Sequence, residues 1–189
     1  MERQEIAQLK APLLRLLKQK ALKLGKFTLS SGKSSSYYLD GRVITLTPEG
    51  AYLTGSLILE LIRDKDIDAI GGPTLGADPI VGAIAAIAYS KKVPLSTFIV
   101  RKRLKTHGTQ RLIEGPQLKQ GSKALLVDDV ATTGSSLIEA KAALDDLGVK
   151  VEEAVVIVDR GEGAKEKLAA SGLILRAIFN IEELGIKKP

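Results

Sequence analysis

The sequence predicts an α/β fold: a mostly parallel central sheet with helices on both faces, preceded by a small N-terminal hood. Three observations predict it. Apolar runs without polar alternation, such as Ala124–Val127 and Ala154–Val158, read as strands buried on both faces. Stretches with helical spacing separate these runs, and strand–helix repetition gives a parallel sheet. Glycines such as Gly148 and Gly172 stand where those helices should stop. A chain of 189 residues suits one domain, 1–189, with an N-terminal helix and hood over about 1–45.

Residues 5–22 read as a helix, with Ile6, Leu9, Leu13, Leu16 and Leu17 on one face. Pro12 marks a kink, or a start near residue 11, because proline lacks a backbone donor. Phe27–Leu29 and Tyr37–Leu39 look like short strands around a polar turn, which makes a hairpin or hood. The tyrosines there can stack on a planar base; plain hairpin packing explains them equally well. Gly32-Lys33-Ser34 is not a P-loop, since that pattern needs glycine where Phe27 stands. Thr47 and Pro48 open a helix to about Arg63, a hydroxyl cap followed by proline at the first position.

Asp68–Gly72 reads as a short strand running into a glycine turn. Such a turn can offer N–H groups to an anion, although an ordinary turn is the plainer reading. Pro73–Pro79 leads into an Ala/Ile-rich helix to about Ser90, and Pro94–Val100 is the next strand. Arg101–Arg111 then opens a basic connection that ends near Gly121. Its length of roughly 20 residues exceeds the usual 2–6 of compact α/β units. Such a segment is either disordered or a lid, and lids exclude water and bring charge to a site. Residues 101–120 are therefore expected to form a mobile catalytic loop, with Leu112–Gly115 as its returning strand.

The organising stretch follows. Lys123–Val127 is the strand, and Asp128 and Asp129 are expected to end it. Val130–Ser136 is a loop of small, hydroxyl-bearing residues, and Leu137–Leu147 is a helix. In open α/β sheets ligands bind beyond the carboxyl ends of the strands. Thr132, Thr133, Ser135 and Ser136 offer hydroxyls, and Gly134 lets backbone approach closely. Loop N–H groups at a helix start favour an anion. The carboxylates suit the hydroxyls of a sugar, or a magnesium ion held through water. A sugar phosphate is the expected ligand; an ordinary turn with a helix cap is the alternative. Val151–Val158 is a further strand, with Asp159, Arg160, Gly161 and Glu162 at its carboxyl end on the side of Asp128. Arg160 could bind a carboxylate or pair with Asp159 or Glu162. Ala164–Ser171 is a helix, Leu173–Phe179 a last strand, and Asn180 caps a short closing helix.

Composition narrows the function. There is no cysteine and one histidine, which excludes thiolate chemistry, zinc–sulfur sites and a multi-histidine metal site. The N-terminus has no signal-peptide pattern, and no apolar run approaches the about 20 residues of a membrane span. A cytoplasmic protein without a membrane partner is expected. The formal charge of +6 fits nucleic acid or small anions. Basic residues cluster in one loop and are otherwise mixed with acids, so small anions are favoured and nucleic acid is not expected.

The strand, acidic pair and hydroxyl loop resemble the phosphoribosyl-diphosphate signature of type I phosphoribosyltransferases. Further matches are Phe27–Gly32, Ser36–Tyr38, Leu39–Arg42, Gly71–Pro73, Arg101, Lys102, Lys105, His107, Gly108, Asp159 and Arg160. Over nearly the whole chain the sequence resembles the orotate phosphoribosyltransferases. The resemblance implies transfer of ribose 5-phosphate from 5-phosphoribosyl 1-diphosphate to N1 of orotate, giving orotidine 5′-monophosphate and pyrophosphate in pyrimidine biosynthesis; a phosphoribosyltransferase for another base, or a nucleotide-binding regulator on the same fold, is the alternative. It implies Mg²⁺ and a homodimer whose 101–120 loop reaches the partner site. It assigns Ala131, Thr132, Thr133, Gly134 and Ser135 to the 5′-phosphate, and Asp128 and Asp129 to the ribose hydroxyls. Arg101, Lys102, Lys105 and His107 serve the diphosphate. Tyr37, Tyr38 and Arg160 belong to the orotate side. No dedicated protein metal site is implied: the ion is held mainly by diphosphate and water, with Asp128 or Asp129 as candidate contacts. Many relatives carry lysine at the places of Ser30 and Leu75; this chain does not.

Overall fold

The computed structural model describes residues 2–28, 34–102 and 112–187. Helix α1 spans Glu2–Leu16 and contains Pro12 in its interior. The helix thus starts well before residue 11. Leu13 and Leu17 are fully buried, and burial of this apolar face outweighs the donor lost at the proline. The helix then loosens into a π-helical turn, Leu17–Ala21. Strands β1, Leu22–Thr28, and β2, Ser34–Leu39, pair antiparallel as a separate two-stranded sheet. The hairpin begins five residues before Phe27, because Leu22 pairs with Leu39.

A short helix α2, Arg42–Thr45, follows, then α3, Pro48–Leu61. Thr47 caps α3 as its sequence indicates: its hydroxyl accepts the Gly50 N–H at 3.2 Å. The main sheet contains β3, Ala69–Pro73; β4, Ser96–Val100; β5, Ile113–Glu114; β6, Lys123–Ala131; β7, Lys150–Asp159; and β8, Ile174–Asn180. Their spatial order is β5-β4-β3-β6-β7-β8. All neighbours are parallel except the short β5, which returns antiparallel to β4.

Helices cover both faces. α1, α3 and α4, Ala77–Ser90, pack on one side with Leu125, Val127, Val155 and Ile157. α5, Ser135–Asp145, and α6, Ala164–Ala170, pack on the other with Leu126, Ala154 and Val156. The period-two alternation of β6 and β7 therefore feeds two cores, which is why neither strand has a polar face. No helix among the described residues is long and apolar enough to cross a membrane.

Two local expectations change. Gly71 and Gly72 lie inside β3 and form no turn. A Cβ at Gly71 would stand 2.3 Å from the Phe98 ring, and one at Gly72 only 1.9 Å from the Val127 carbonyl oxygen. Close packing between strands explains both glycines, and no anion nest is needed. The second change concerns β6, which continues through Asp128 and Asp129 to Ala131. Asp128 pairs with Val156, Val130 with Val158 and Ala131 with Asp159. Pairing with the longer β7 sustains the strand through the two polar residues.

Candidate active site

The carboxyl ends of β3 and β6 meet the end of the hood hairpin around an open cavity of about 290 Å³. Asp128, Asp129, Thr132 and Ser136 line it from β6 and the following loop. Tyr38 and Arg42 line it from the hood side, Leu75 and Gly76 from the loop after β3, and Lys102 and Arg160 from the remaining edges. Tyr38, Lys102, Asp128, Asp129, Thr132 and Arg160, all expected at the site, therefore converge, although they come from distant parts of the chain.

The two carboxylates are fixed by backbone. The Asp129 N–H donates to Asp128 Oδ1 at 2.9 Å, and the Val130 N–H donates to Asp129 Oδ1 at 2.8 Å. Burial pushes the Asp128 carboxyl well above the usual carboxylate range, and the adjacent Asp129 charge adds to this, while Lys102 opposes it. Burial also raises Asp129, against the Val130 N–H that favours its charge. The pair is thus short of positive charge in the free protein. Oxygen donors of this kind suit a hard cation or sugar hydroxyls. Among the described residues no group of three or more His, Cys, Asp or Glu side chains can hold a metal. A cation here would take the rest of its shell from substrate and water.

Beyond β6, Ala131–Ser136 wraps a small recess of about 100 Å³. Gly134 adopts a left-handed conformation (φ 78°) and precedes the first residue of α5. A Cβ there would lie 3.0 Å from Leu168, so only glycine makes this turn freely. No side chain caps α5, and its first turn contains no acid. The Leu137 and Ile138 N–H groups both donate to the Gly134 carbonyl at 3.1 Å, so the N–H groups of Ser135 and Ser136 are the ones that suit an anion. Thr133 and Ser135 hydroxyls lie 3.0 Å apart beside them.

Arg160 follows β7, and its N–H donates to the Ala131 carbonyl at 3.0 Å. Its side chain is buried, with Nε donating to the Tyr37 hydroxyl at 3.0 Å and Nη2 2.8 Å from Glu162 Oε1. The guanidinium also stacks 4.8 Å from the Tyr37 ring centroid. Tyr37 is buried and directed at Arg160, whereas Tyr38 is partly exposed and packs on Phe27 with centroids 5.7 Å apart. Of the two tyrosines, Tyr38 alone lines the open cavity.

Arg101 lies in an adjacent recess of about 340 Å³, which it shares with Lys102, Ser136 and Glu139. Its Nη1 is 3.3 Å from Glu114 Oε1 on β5. Lys105 and His107 lie outside the described residues.

Sequence reasoning gave no role to Asp40, Gly41, Arg42 or Gly76. Asp40 accepts from Arg42 Nε and Nη2, both at 2.9 Å. That pairing holds the Asp40 carboxyl low and the Arg42 guanidinium high. A Cβ at Gly76 would lie 2.2 Å from Asp128 Oδ1, and one at Gly41 would lie 2.7 Å from Asp129 Cβ. The Asp-x-Arg spacing after a strand was a visible signal for the ion pair. Nothing local marks the two glycines, whose constraint comes from carboxylates far along the chain.

The model of the phosphoribosyl transferase domain matches residues 44–183. An orotate phosphoribosyltransferase of Streptomyces avermitilis is 45% identical over 175 residues, covering 92% of this chain and 96% of that protein. The chain belongs to the orotate phosphoribosyltransferase family. Another member, from Nostoc sp., is 42% identical over 180 residues, covering 95% of this chain and 87% of its own length. The orotate phosphoribosyltransferase of Mycobacterium tuberculosis, in complex with 5-phospho-alpha-D-ribosyl 1-diphosphate, superposes with a TM-score of 0.78 at 36% identity. That match covers 94% of this chain and 99% of the other. The architecture is the type I phosphoribosyltransferase fold, with its mostly parallel sheet between helices.

Proposed function

We propose that this chain transfers ribose 5-phosphate from 5-phosphoribosyl 1-diphosphate to N1 of orotate, forming orotidine 5′-monophosphate and releasing pyrophosphate. One observation carries the reading. In a chain of this family, the carboxylate pair, the uncapped α5 start and Arg160 all border one region at the sheet's carboxyl edge.

Each group has a role in that reaction. The Ala131–Ser135 backbone and hydroxyls receive the 5′-phosphate. Asp128 and Asp129 accept hydrogen bonds from the ribose hydroxyls. Arg160, held by Tyr37 and Glu162, retains Nη1 donors for the orotate carboxylate. The bond from the anomeric carbon to diphosphate breaks while the bond to orotate N1 forms. Negative charge grows on the departing diphosphate, where Arg101, Lys102, Lys105 and His107 are assigned. No protein nucleophile is required.

Mg²⁺ bound to the diphosphate, with Asp128 or Asp129 as contacts through water, would neutralise leaving-group charge. The working enzyme in this reading is a cytoplasmic homodimer in which residues 101–120 of one subunit reach the partner's site.

The test follows orotate absorbance with 5-phosphoribosyl 1-diphosphate, with and without Mg²⁺, beside adenine, guanine, xanthine and uracil. Metal-dependent loss of orotate alone, largely abolished by Lys105→Ala, is the expected result. Turnover of a different base would reassign Arg160, and no turnover by folded protein would end the enzymatic reading.

A further inference from the structure

One cation of the cavity, Arg42, has no part in the reaction proposed. Arg42 opens α2, and its backbone N–H donates to Asp40 Oδ1 at 3.0 Å. Its Nε and Nη2 grip the same carboxylate. A guanidinium carries five N–H donors, and this fork consumes two. Among the described residues no other hydrogen-bond partner is seen for it, and the side chain is 42% exposed at the cavity wall. Asp40 is only 18% exposed, so the clamp is anchored from behind. The remaining donors are held in one orientation before any ligand arrives, which lowers the entropy lost on binding.

Position says which ligand group they serve. Gly41 and Gly76 press on opposite oxygens of Asp129: their Cβ positions would lie 2.9 Å from Oδ2 and 2.5 Å from Oδ1. Arg42 follows Gly41 and Leu75 precedes Gly76 in the chain, and both line the cavity with this carboxylate. Leu75 is exposed and uncharged, so the loop after β3 supplies no cation through it. Among the described residues lining the cavity, the cations are Arg42, Lys102 and Arg160. Arg160 is turned toward Tyr37 and Glu162. Of these three, Lys102 and Arg42 are the ones open to a multiply charged leaving group, beside Arg101 in the adjoining recess.

The geometry points to Arg42, oriented by Asp40, as a binding residue for the diphosphate of the donor substrate. This rests on the reading of the cavity as a phosphoribosyl-diphosphate site. Arg42 supplies a rigid fork where Lys102 supplies a point charge.

The test titrates inorganic pyrophosphate with Mg²⁺ into the full-length protein and its Arg42→Ala, Arg42→Lys and Asp40→Asn variants by calorimetry. Pyrophosphate affinity should fall roughly tenfold or more in Arg42→Ala, recover in part in Arg42→Lys, and fall less in Asp40→Asn. In turnover, KM for 5-phosphoribosyl 1-diphosphate should rise while KM for orotate holds. Circular dichroism and thermal melts check folding, and Arg42→Met keeps the stem if the alanine variant unfolds. Unchanged pyrophosphate affinity in folded Arg42 variants overturns the inference. A rise confined to KM for orotate also overturns it. Arg42-dependent pyrophosphate binding in a protein that does not consume orotate would uphold this inference while ending the orotate reading.

Discussion

The Arg160 Nε donates to the Tyr37 hydroxyl at 3.0 Å, joining the hood hairpin to the edge of the main sheet across 123 positions of sequence. The bond is buried and carries charge on the donor side, so it contributes more than a neutral surface contact. Tyr37→Phe keeps the ring under the guanidinium and removes only the acceptor. KM for orotate should rise roughly three- to tenfold, with about 1–2 kcal/mol lost from unfolding stability. Steady-state kinetics and urea denaturation measure both. Equal changes in the KM of both substrates would mean that Tyr37 supports the whole cavity and not the base end.

Gly76→Ala should disable the site. Its Cβ would lie 2.2 Å from Asp128 Oδ1 and 2.5 Å from Asp129 Oδ1. The loop or the carboxylates must move, and displacement by about 1 Å can lower a rate roughly 100-fold. Gly82→Ala is the control. Gly82 is exposed in α4 with nothing within 4 Å of the added carbon. It should stabilise the helix by about 0.5–1 kcal/mol and leave kcat/KM unchanged. Similar activity in both variants would refute the crowding argument.

Asp128→Asn should separate stability from activity. Burial lifts the Asp128 carboxyl above its unfolded value, so the folded protein binds more protons in the window between the two. Stability then falls as pH rises through that window. Asn removes the charge and keeps an acceptor for the Asp129 N–H. The unliganded variant should melt about 2–4 °C higher at pH 7 for each 1 kcal/mol recovered. The gain should vanish below the window, where the carboxyl is neutral in both states. Its kcat/KM should drop at least roughly tenfold. Scanning calorimetry at two pH values checks the sign; a lower melting point at pH 7 would contradict the buried-charge account.

Chelation should stop turnover without loosening the fold. The described residues offer no cluster that holds a metal by themselves, so free protein gains little from Mg²⁺. EDTA should abolish orotate consumption, added Mg²⁺ should restore it, and the melting point of unliganded protein should not move. A melting point that falls with EDTA would reveal a protein-held ion.

Much of this architecture is legible from residue order. The apolar runs at 124–127 and 154–158 announce strands covered on both sides, and Thr47-Pro48 announces a helix start. What escapes is set by partners distant in sequence. Pro12 reads as a kink or a helix start until Leu13 and Leu17 are known to be buried. Gly71 and Gly72 read as a turn until Phe98 and Val127 are known to crowd them. Asp128 and Asp129 read as the end of β6 because polarity looks like an edge, whereas hydrogen bonding to β7 carries the strand onward. Among candidate site residues, the turn at Ala131–Ser135 is visible because it is contiguous in sequence. Tyr37 is harder, since its face toward Arg160 depends on how two sheets meet.

The hood is a sheet of its own, and its described links to the catalytic edge include the Tyr37–Arg160 bond and the Gly41–Asp129 contact. The residues proposed to meet the ribose and the 5′-phosphate come from β6, the loop after it and the start of α5. These are separable modules. Sequence drift in β1 and β2 can remodel the proposed acceptor end without altering the residues of β6 and α5. An engineer seeking a different acceptor should therefore randomise the hairpin first, holding residues 37 and 41 constant as the two hinges of the graft.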